Sequence, residues 1–247
     1  MHLVNAYLNE VELQKPEKSI FETLIGKMED WRMLDIGIGT GRTTLHLAPI
    51  AMEYVGIDYS FGMTKACMKR FPKLASTGSI RLGDARMLQE FEQDSFDLVL
   101  FSFNGIDYIS YDDREHALDE IRRVLKPGGH FIFSTHNLQY IGNLYSIQLA
   151  NSWKYSLYQC YRYLRLIFEN GLPGKYKDKP FAIINDGAHH FALTTYYVKP
   201  AVQVEELEML GFADIRLFSV KSGQEITGKP LDELNEDSWI YYWCINL

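Results

Sequence analysis

The stretch FDLVLFSF, residues 96–103, is apolar at consecutive positions rather than at alternate ones. A strand of that kind has to be covered on both faces, which a sheet achieves by packing helices on each side. RMLDIG, EYVGIDYS and SIRLGDA precede it with strand character, and HFIFSTHN follows. Between them lie the helix-like segments TGRTTLHLAPI, MTKACMKRF and DREHALDEIRRVLKPGG, the last stopped by Pro127 and two glycines, after an opening helix that includes residues 23–28. Such alternation predicts an α/β fold on a parallel sheet.

Length and charge narrow the function. The 247 residues suffice for one large α/β domain and are few for two. The net charge of -7 argues against a general binder of nucleic acid or of an anionic membrane and favours a small-molecule partner. Cys67, Cys160 and Cys244 form neither a disulfide framework nor a metal pattern and read as reduced, buried thiols, which points to the cytoplasm. The N-terminal MHLVNAYLNEVELQKPEK lacks the basic-then-apolar order of a signal peptide, and no run of about 18 uncharged apolar residues occurs.

The chemistry starts at MLDIGIGTGRTT, residues 33–44, where a strand breaks into glycines at every second position just before a helix. Small residues there let a ligand approach main-chain N–H groups. No lysine follows the glycines, which excludes a phosphate-binding GxxxxGK[ST] loop. A dinucleotide GxGxxG would need glycine at position 42, where Arg42 stands, so that reading is weakened. Asp58 ends the next strand, with Tyr59 beside it, at the distance where an acidic side chain accepts both ribose hydroxyls. Asp84 ends the third strand, where a carboxylate beside the Ala85 N–H can read an adenine edge.

With LDIGIGTG, VGIDYS, LGDA, FDLVLFSFNGIDYI and EIRRVLKPGGHFIFSTHN in order, the chain resembles the class I S-adenosylmethionine-dependent methyltransferases, closely over residues 20–137 and loosely beyond. The resemblance implies a Rossmann-like, mostly parallel seven-stranded sheet with helices on both faces and a helical insertion after strand five. It also implies that WIYYWCINL inserts antiparallel as the last strand. In that family Asp35 and the Gly37, Gly39 and Gly41 turn would lie along the methionine moiety. Asp58 would hold the ribose, Asp84 and Ala85 the adenine, and Ser102 and Asn104 the reactive side. Phe61 and Met63 either pack on the adenine or cap the core, and Asp35 either touches the cofactor or braces the turn. A cationic sulfonium without phosphate suits a lysine-free turn with strand-end carboxylates, and in-line methyl transfer requires no metal.

The implied activity is methyl transfer to the oxygen, nitrogen or carbon of a small molecule. A cofactor-binding sensor or partner subunit without transfer activity and, more weakly, an NAD-dependent reductase remain as alternatives. His136 ends the fifth strand facing the expected cleft, as a catalytic base or a structural histidine. His189 and His190 are further candidates for substrate contact or base, with no neighbouring pattern for a metal. Asp58 is expected to be solvated at its strand end, so that its removal would leave stability nearly unchanged. Residues 138–190 are expected to form a substrate-side cover. Within them Trp153, Leu157, Cys160, Tyr161, Leu164 and Phe168 recur at helical spacing, so one face should bury. Lys154, Arg162, Arg165, Lys175, Lys177 and Lys179 outweigh Glu169 and Asp178, which suggests an acidic or phosphorylated acceptor. LDELNEDS, just before the last strand-like stretch WIYYWCINL, reads as a solvated acidic loop.

Overall fold

A computed structural model describes residues 11–147 and 152–247, with the side chains of His189 and His190 outside the described set. The chain runs α1 (Lys15–Met28), β1 (Arg32–Ile36), α2 (Thr44–Leu47), β2 (Glu53–Asp58), α3 (Phe61–Arg70), α4 (Pro72–Ser76), β3 (Ile80–Leu82) and β4 (Phe96–Phe101). It continues through α5 (Tyr111–Val124), β5 (Leu125–Asn137), α6 (Ile141–Leu144), α7 (Trp153–Asn170) and β6 (Phe181–Ile184) to β7 (Thr195–Val198), α8 (Pro200–Met209), β8 (Phe212–Ser219) and β9 (Trp239–Asn246).

Strands β3, β2, β1, β4 and β5 lie side by side and parallel. On the far edge of β5, β9 runs antiparallel from His130–Ile245 to His136–Trp239, and β8 pairs with it antiparallel. These seven strands are the expected sheet, with the last strand inserted as expected. Two more join it: β7 pairs in parallel with His136 and Asn137 at the end of β5, and β6 pairs antiparallel with β7. β6 was not anticipated, since its four residues FAII follow the lysine-rich loop with no alternation to mark them.

The consecutive apolar residues of the central strands divide between the two faces. Met33, Leu98, Leu100 and Ile132 pack with Ile20, Phe21, Leu24 and Met28 of α1. Leu34, Val99, Phe131 and Phe133 pack with Ala117, Leu118, Ile121 and Val124 of α5. Both faces are therefore dry, each buried Leu, Ile or Phe contributing about 1.5–3 kcal/mol of hydrophobic stabilisation.

Several boundaries differ from expectation. α1 starts at Lys15, where Glu17 reaches back to the Gln14 N–H at 2.6 Å as half of a capping box. α2 is a single turn because the glycine loop spends the residues before it on tight turns. The acidic loop is anchored: Leu234 and Asp237 are buried, and Asp237 accepts from Ser219 Oγ at 2.7 Å and from the Lys221 N–H at 2.9 Å. Among the described residues no helix is long and apolar enough to cross a membrane.

Candidate functional site

The C-terminal ends of β1, β2 and β4 open onto a cleft of about 460 Å³, the place where a parallel sheet presents its loops and helix N-termini to ligands. Gly37, Gly39, Asp58, Tyr59, Met63, Asp84, Ala85 and Ser102 line it, whereas Asp35, Gly41, Phe61, Asn104 and His136 do not. All three glycines of the turn have positive φ. A Cβ on Gly39 would meet nothing within 4 Å, so the bare backbone faces open space. A Cβ on Gly41 would stand 2.5 Å from the Phe71 ring and 2.8 Å from Cys67 Sγ, so that glycine serves close packing beneath the turn.

Asp58 holds the turn. Its Oδ2 accepts the Gly39 N–H and its Oδ1 the Ser60 N–H, both at 2.8 Å. The side chain is buried rather than solvated, which overturns the expectation that it is structurally dispensable. Burial raises its pKa above the ordinary carboxylate value despite the two backbone donors. Each oxygen keeps lone-pair capacity toward the cleft. Beneath it Asp35 is 1% exposed and accepts from Thr43 Oγ1 at 2.5 Å and Tyr54 OH at 2.7 Å; burial pushes its pKa up to about 7. These bonds tie the end of β1 to β2 and to Thr43, just past the glycine turn.

At the next strand end Asp84 is clasped by Arg86, whose Nη2 donates to Oδ2 at 2.7 Å and whose N–H donates to Oδ1 at 3.0 Å. These bonds hold the Asp84 carboxyl below its ordinary range. Arg86 also bonds Asp113 Oδ2 at 2.7 Å through Nη1, and both residues line the cleft. Sequence reasoning left out this clamp, although Asp84 and Arg86 are only two residues apart.

On the opposite wall lies a buried network. Arg42 pairs with Glu17, its Nη2 2.8 Å from Oε1, and donates to Ser102 Oγ at 3.0 Å. Ser102 Oγ and Tyr241 OH both donate to Glu17 Oε1. Arg42 lines the cleft while Glu17 is fully buried, so α1 carries the counter-charge of a cleft cation.

Behind the lining at the end of β5, His136 Nδ1 lies 2.7 Å from Asp107 Oδ2, which also accepts the His136 N–H at 2.7 Å. Asp107 Oδ1 accepts from Thr135 Oγ1 at 2.6 Å and from Arg114 at 3.5 Å. Because the carboxylate only accepts, it selects the tautomer protonated at Nδ1 and leaves Nε2 free to take a proton. Nε2 is 3.5 Å from Asn104 Nδ2, and Asn104 Oδ1 is buried without a hydrogen-bond partner among the described residues. The rings of Tyr197 and Trp239 flank His136 at 4.8 and 5.9 Å. Asp107 is the main functional candidate that the sequence reading missed; the signal was an acidic residue inside the apolar NGIDYI.

His189 and His190 belong to a 3-10 turn, Ala188–Phe191, and not to a strand. Their side chains lie outside the described residues. Leu193, just beyond, lines the cleft. Arg162 donates to the Leu144 and Ser146 carbonyls at 3.0 Å, and Arg165 pairs with Glu169 at 2.8 Å. Neither lines the cleft.

Residues 34–133 match a family described as a methyltransferase domain. The demethylmenaquinone methyltransferase of Renibacterium salmoninarum is 34% identical over 108 residues, 44% of this chain and 42% of that protein. The ubiquinone/menaquinone biosynthesis C-methyltransferase UbiE of Geobacter sulfurreducens is 32% identical over 148 residues, 55% of this chain and 57% of that protein. The chain thus spans about half the length of these curated relatives. The same fold occurs in an S-adenosylmethionine dependent methyltransferase from Mesorhizobium loti, with a TM-score of 0.62 and 20% identity over 94% of this chain and 98% of that one. It also occurs in the 1,6-didemethyltoxoflavin-N1-methyltransferase of Burkholderia thailandensis, with a TM-score of 0.56 and 15% identity over 98% of this chain and 80% of that one.

Proposed function

We propose that this chain carries a class I S-adenosylmethionine-dependent methyltransferase domain, a reading supported by the family match, the relatives and the shared fold, and that it methylates a small molecule whose O–H or N–H is deprotonated by His136. The observation that carries this reading is the Asp107–His136 pair behind the cleft lining at the end of β5. When bound, S-adenosylmethionine supplies a methyl carbon on a sulfonium centre and departs as a neutral thioether.

The lining suits that cofactor. Gly37 and Gly39 offer bare backbone to the methionine moiety, with Gly41 and Asp35 supporting the turn from below. Arg42 can meet the cofactor's carboxylate, and Asp58 accepts the two ribose hydroxyls with its remaining lone pairs. Tyr59, Met63 and Ala85 border the adenine, with Asp84 held by Arg86. Ser102 closes the methionine end.

In the chemical step His136 Nε2 takes the acceptor proton and Asp107 steadies the imidazolium that forms. Asn104 Oδ1, which has no hydrogen-bond partner among the described residues, accepts a hydrogen bond from the acceptor. A quinol-type ring is the first acceptor to test, because relatives carry quinone-pathway names and aromatic rings flank His136. Ionising such a hydroxyl makes both its oxygen and the adjacent ring carbon nucleophilic. Residues 138–190 act as the substrate-side cover: they leave from the end of β5, and Phe181 stacks on Tyr111 at 4.4 Å close to the lining residues Tyr108 and Ser110.

Labelled methyl transfer from S-adenosylmethionine to a panel of quinols, phenols and amines tests the reading. His136→Ala should lower kcat about 10²- to 10⁴-fold, with binding of S-adenosylhomocysteine retained. A folded variant with unchanged kcat excludes His136 as the base. Cofactor binding without transfer to any acceptor favours the sensor reading.

A further inference from the structure

Helix α7 is built the wrong way round for a helix packed on a globular protein. Gln159, Leu166 and Asn170 form its buried side. That side is held by polar bonds: Asn170 Nδ2 donates to the Asn185 carbonyl at 2.8 Å, and Arg162 donates to two carbonyls of residues 144 and 146. Trp153, Leu157, Tyr161, Leu164 and Phe168, spaced by three and four residues, lie on the opposite side and are 54–81% exposed. The helical periodicity is as expected, but the apolar stripe points into solvent. Five large apolar side chains on one face, each more than half exposed, are the kind of surface that marks an interaction site.

Charge identifies the partner. The chain is net negative, yet this segment is basic. Lys154 is exposed along one flank of the stripe. Lys175, exposed, lies against Gly171 at the C-terminal end of the helix, and Lys177 and Lys179 follow, also exposed. Exposed Leu172 extends the apolar surface into this cluster. A tryptophan, a tyrosine, leucines and a phenylalanine on one face with lysines at its margins match the boundary between anionic headgroups and acyl chains. Pairing by two-fold symmetry would instead set two net-basic segments against each other, with only Glu169 and Asp178 of each to offset the lysines and arginines.

We propose that the outer face of α7 docks the protein, side-on, onto an anionic phospholipid bilayer. Docking buries the leucines and aromatic rings in the interface and sets the lysines among the phosphates, without any spanning segment. The inference is independent of the acceptor.

Co-sedimentation with phosphatidylcholine vesicles, with and without about 30 mol% phosphatidylglycerol, tests it. The wild type should partition to the anionic vesicles and be released as salt rises. A Leu157→Ser, Leu164→Ser, Phe168→Ser variant should keep its thermal melt, because these side chains are exposed, and lose partitioning by at least about tenfold. Lys154→Glu with Lys175→Glu should lose the preference for anionic vesicles. The proposal is overturned if the wild type ignores anionic vesicles or if the triple variant binds like the wild type. It is equally overturned if sedimentation equilibrium gives a wild-type dimer that the triple variant converts to monomer while no vesicles are bound.

Discussion

Replacing Asp58 by alanine separates two roles that meet in one carboxylate. In the folded chain it accepts the Gly39 and Ser60 N–H groups at 2.8 Å and so ties the glycine turn to the end of β2. Both donors lose a charged acceptor in the variant. A bond to a charged group contributes about 1.5–3 kcal/mol, and an N–H left without a partner costs about as much. Gly39 and Ser60 are half-buried, so water recovers part of that. Removing the carboxylate also removes the desolvation that raises its pKa. The net loss of stability should be about 1–2 kcal/mol. If Asp58 also holds the ribose as proposed, cofactor binding should lose two further bonds, together about 2–4 kcal/mol once water takes their place in part, or roughly 30- to 800-fold in Kd. Urea denaturation of the free protein gives the first number, and calorimetry with S-adenosylhomocysteine under conditions where the variant is folded gives the second. An unchanged denaturation midpoint would refute the bracing role, and an unchanged Kd would refute the ribose assignment.

Three other perturbations follow from the same geometry. Asp35, with its pKa raised to about 7, binds a proton that the unfolded chain has already released above about pH 4, so stability should fall by about 4 kcal/mol as pH rises from 4 to 7 and then level off; Asp35→Asn should flatten that slope in pH-dependent denaturation, and an unaltered slope counts against the assignment. Gly41→Ala, which would place a Cβ 2.5 Å from Phe71 at positive φ, should cost at least about 2 kcal/mol in thermal unfolding, and a wild-type melt would mean the packing yields. Glu17→Ala leaves the Arg42 guanidinium buried without its partner and should cost about 3–5 kcal/mol, against which a loss below about 1 kcal/mol would argue that solvent reaches Arg42.

Features set by short stretches of chain were legible in the sequence. The glycine turn, Asp58 and Asp84 stand at strand ends marked by their own neighbours, and the strand–helix alternation marked the five parallel strands, whereas the antiparallel place of β9 was implied only by the family resemblance. Partnerships across the fold were not. Nothing near Glu17 announces Arg42, 25 positions away, and Asp107 acquires its meaning only when β5 brings His136 from 29 positions on. The solvated reading of Asp58 failed because a strand end is visible in sequence but the Gly39 N–H turning back onto it is not. Periodicity likewise placed an apolar stripe on α7 without saying which way it turns, since direction is decided by the Asn170 and Arg162 bonds on the other side.

The central claim is that the cleft is built for a sulfur nucleoside and not for a dinucleotide. Isothermal titration of the wild-type protein with S-adenosylmethionine, S-adenosylhomocysteine and NADH tests it most directly. Saturable one-to-one binding of both sulfur compounds, with no heat from NADH over the same range, is the expected result. Binding of NADH with no binding of either sulfur compound would contradict it.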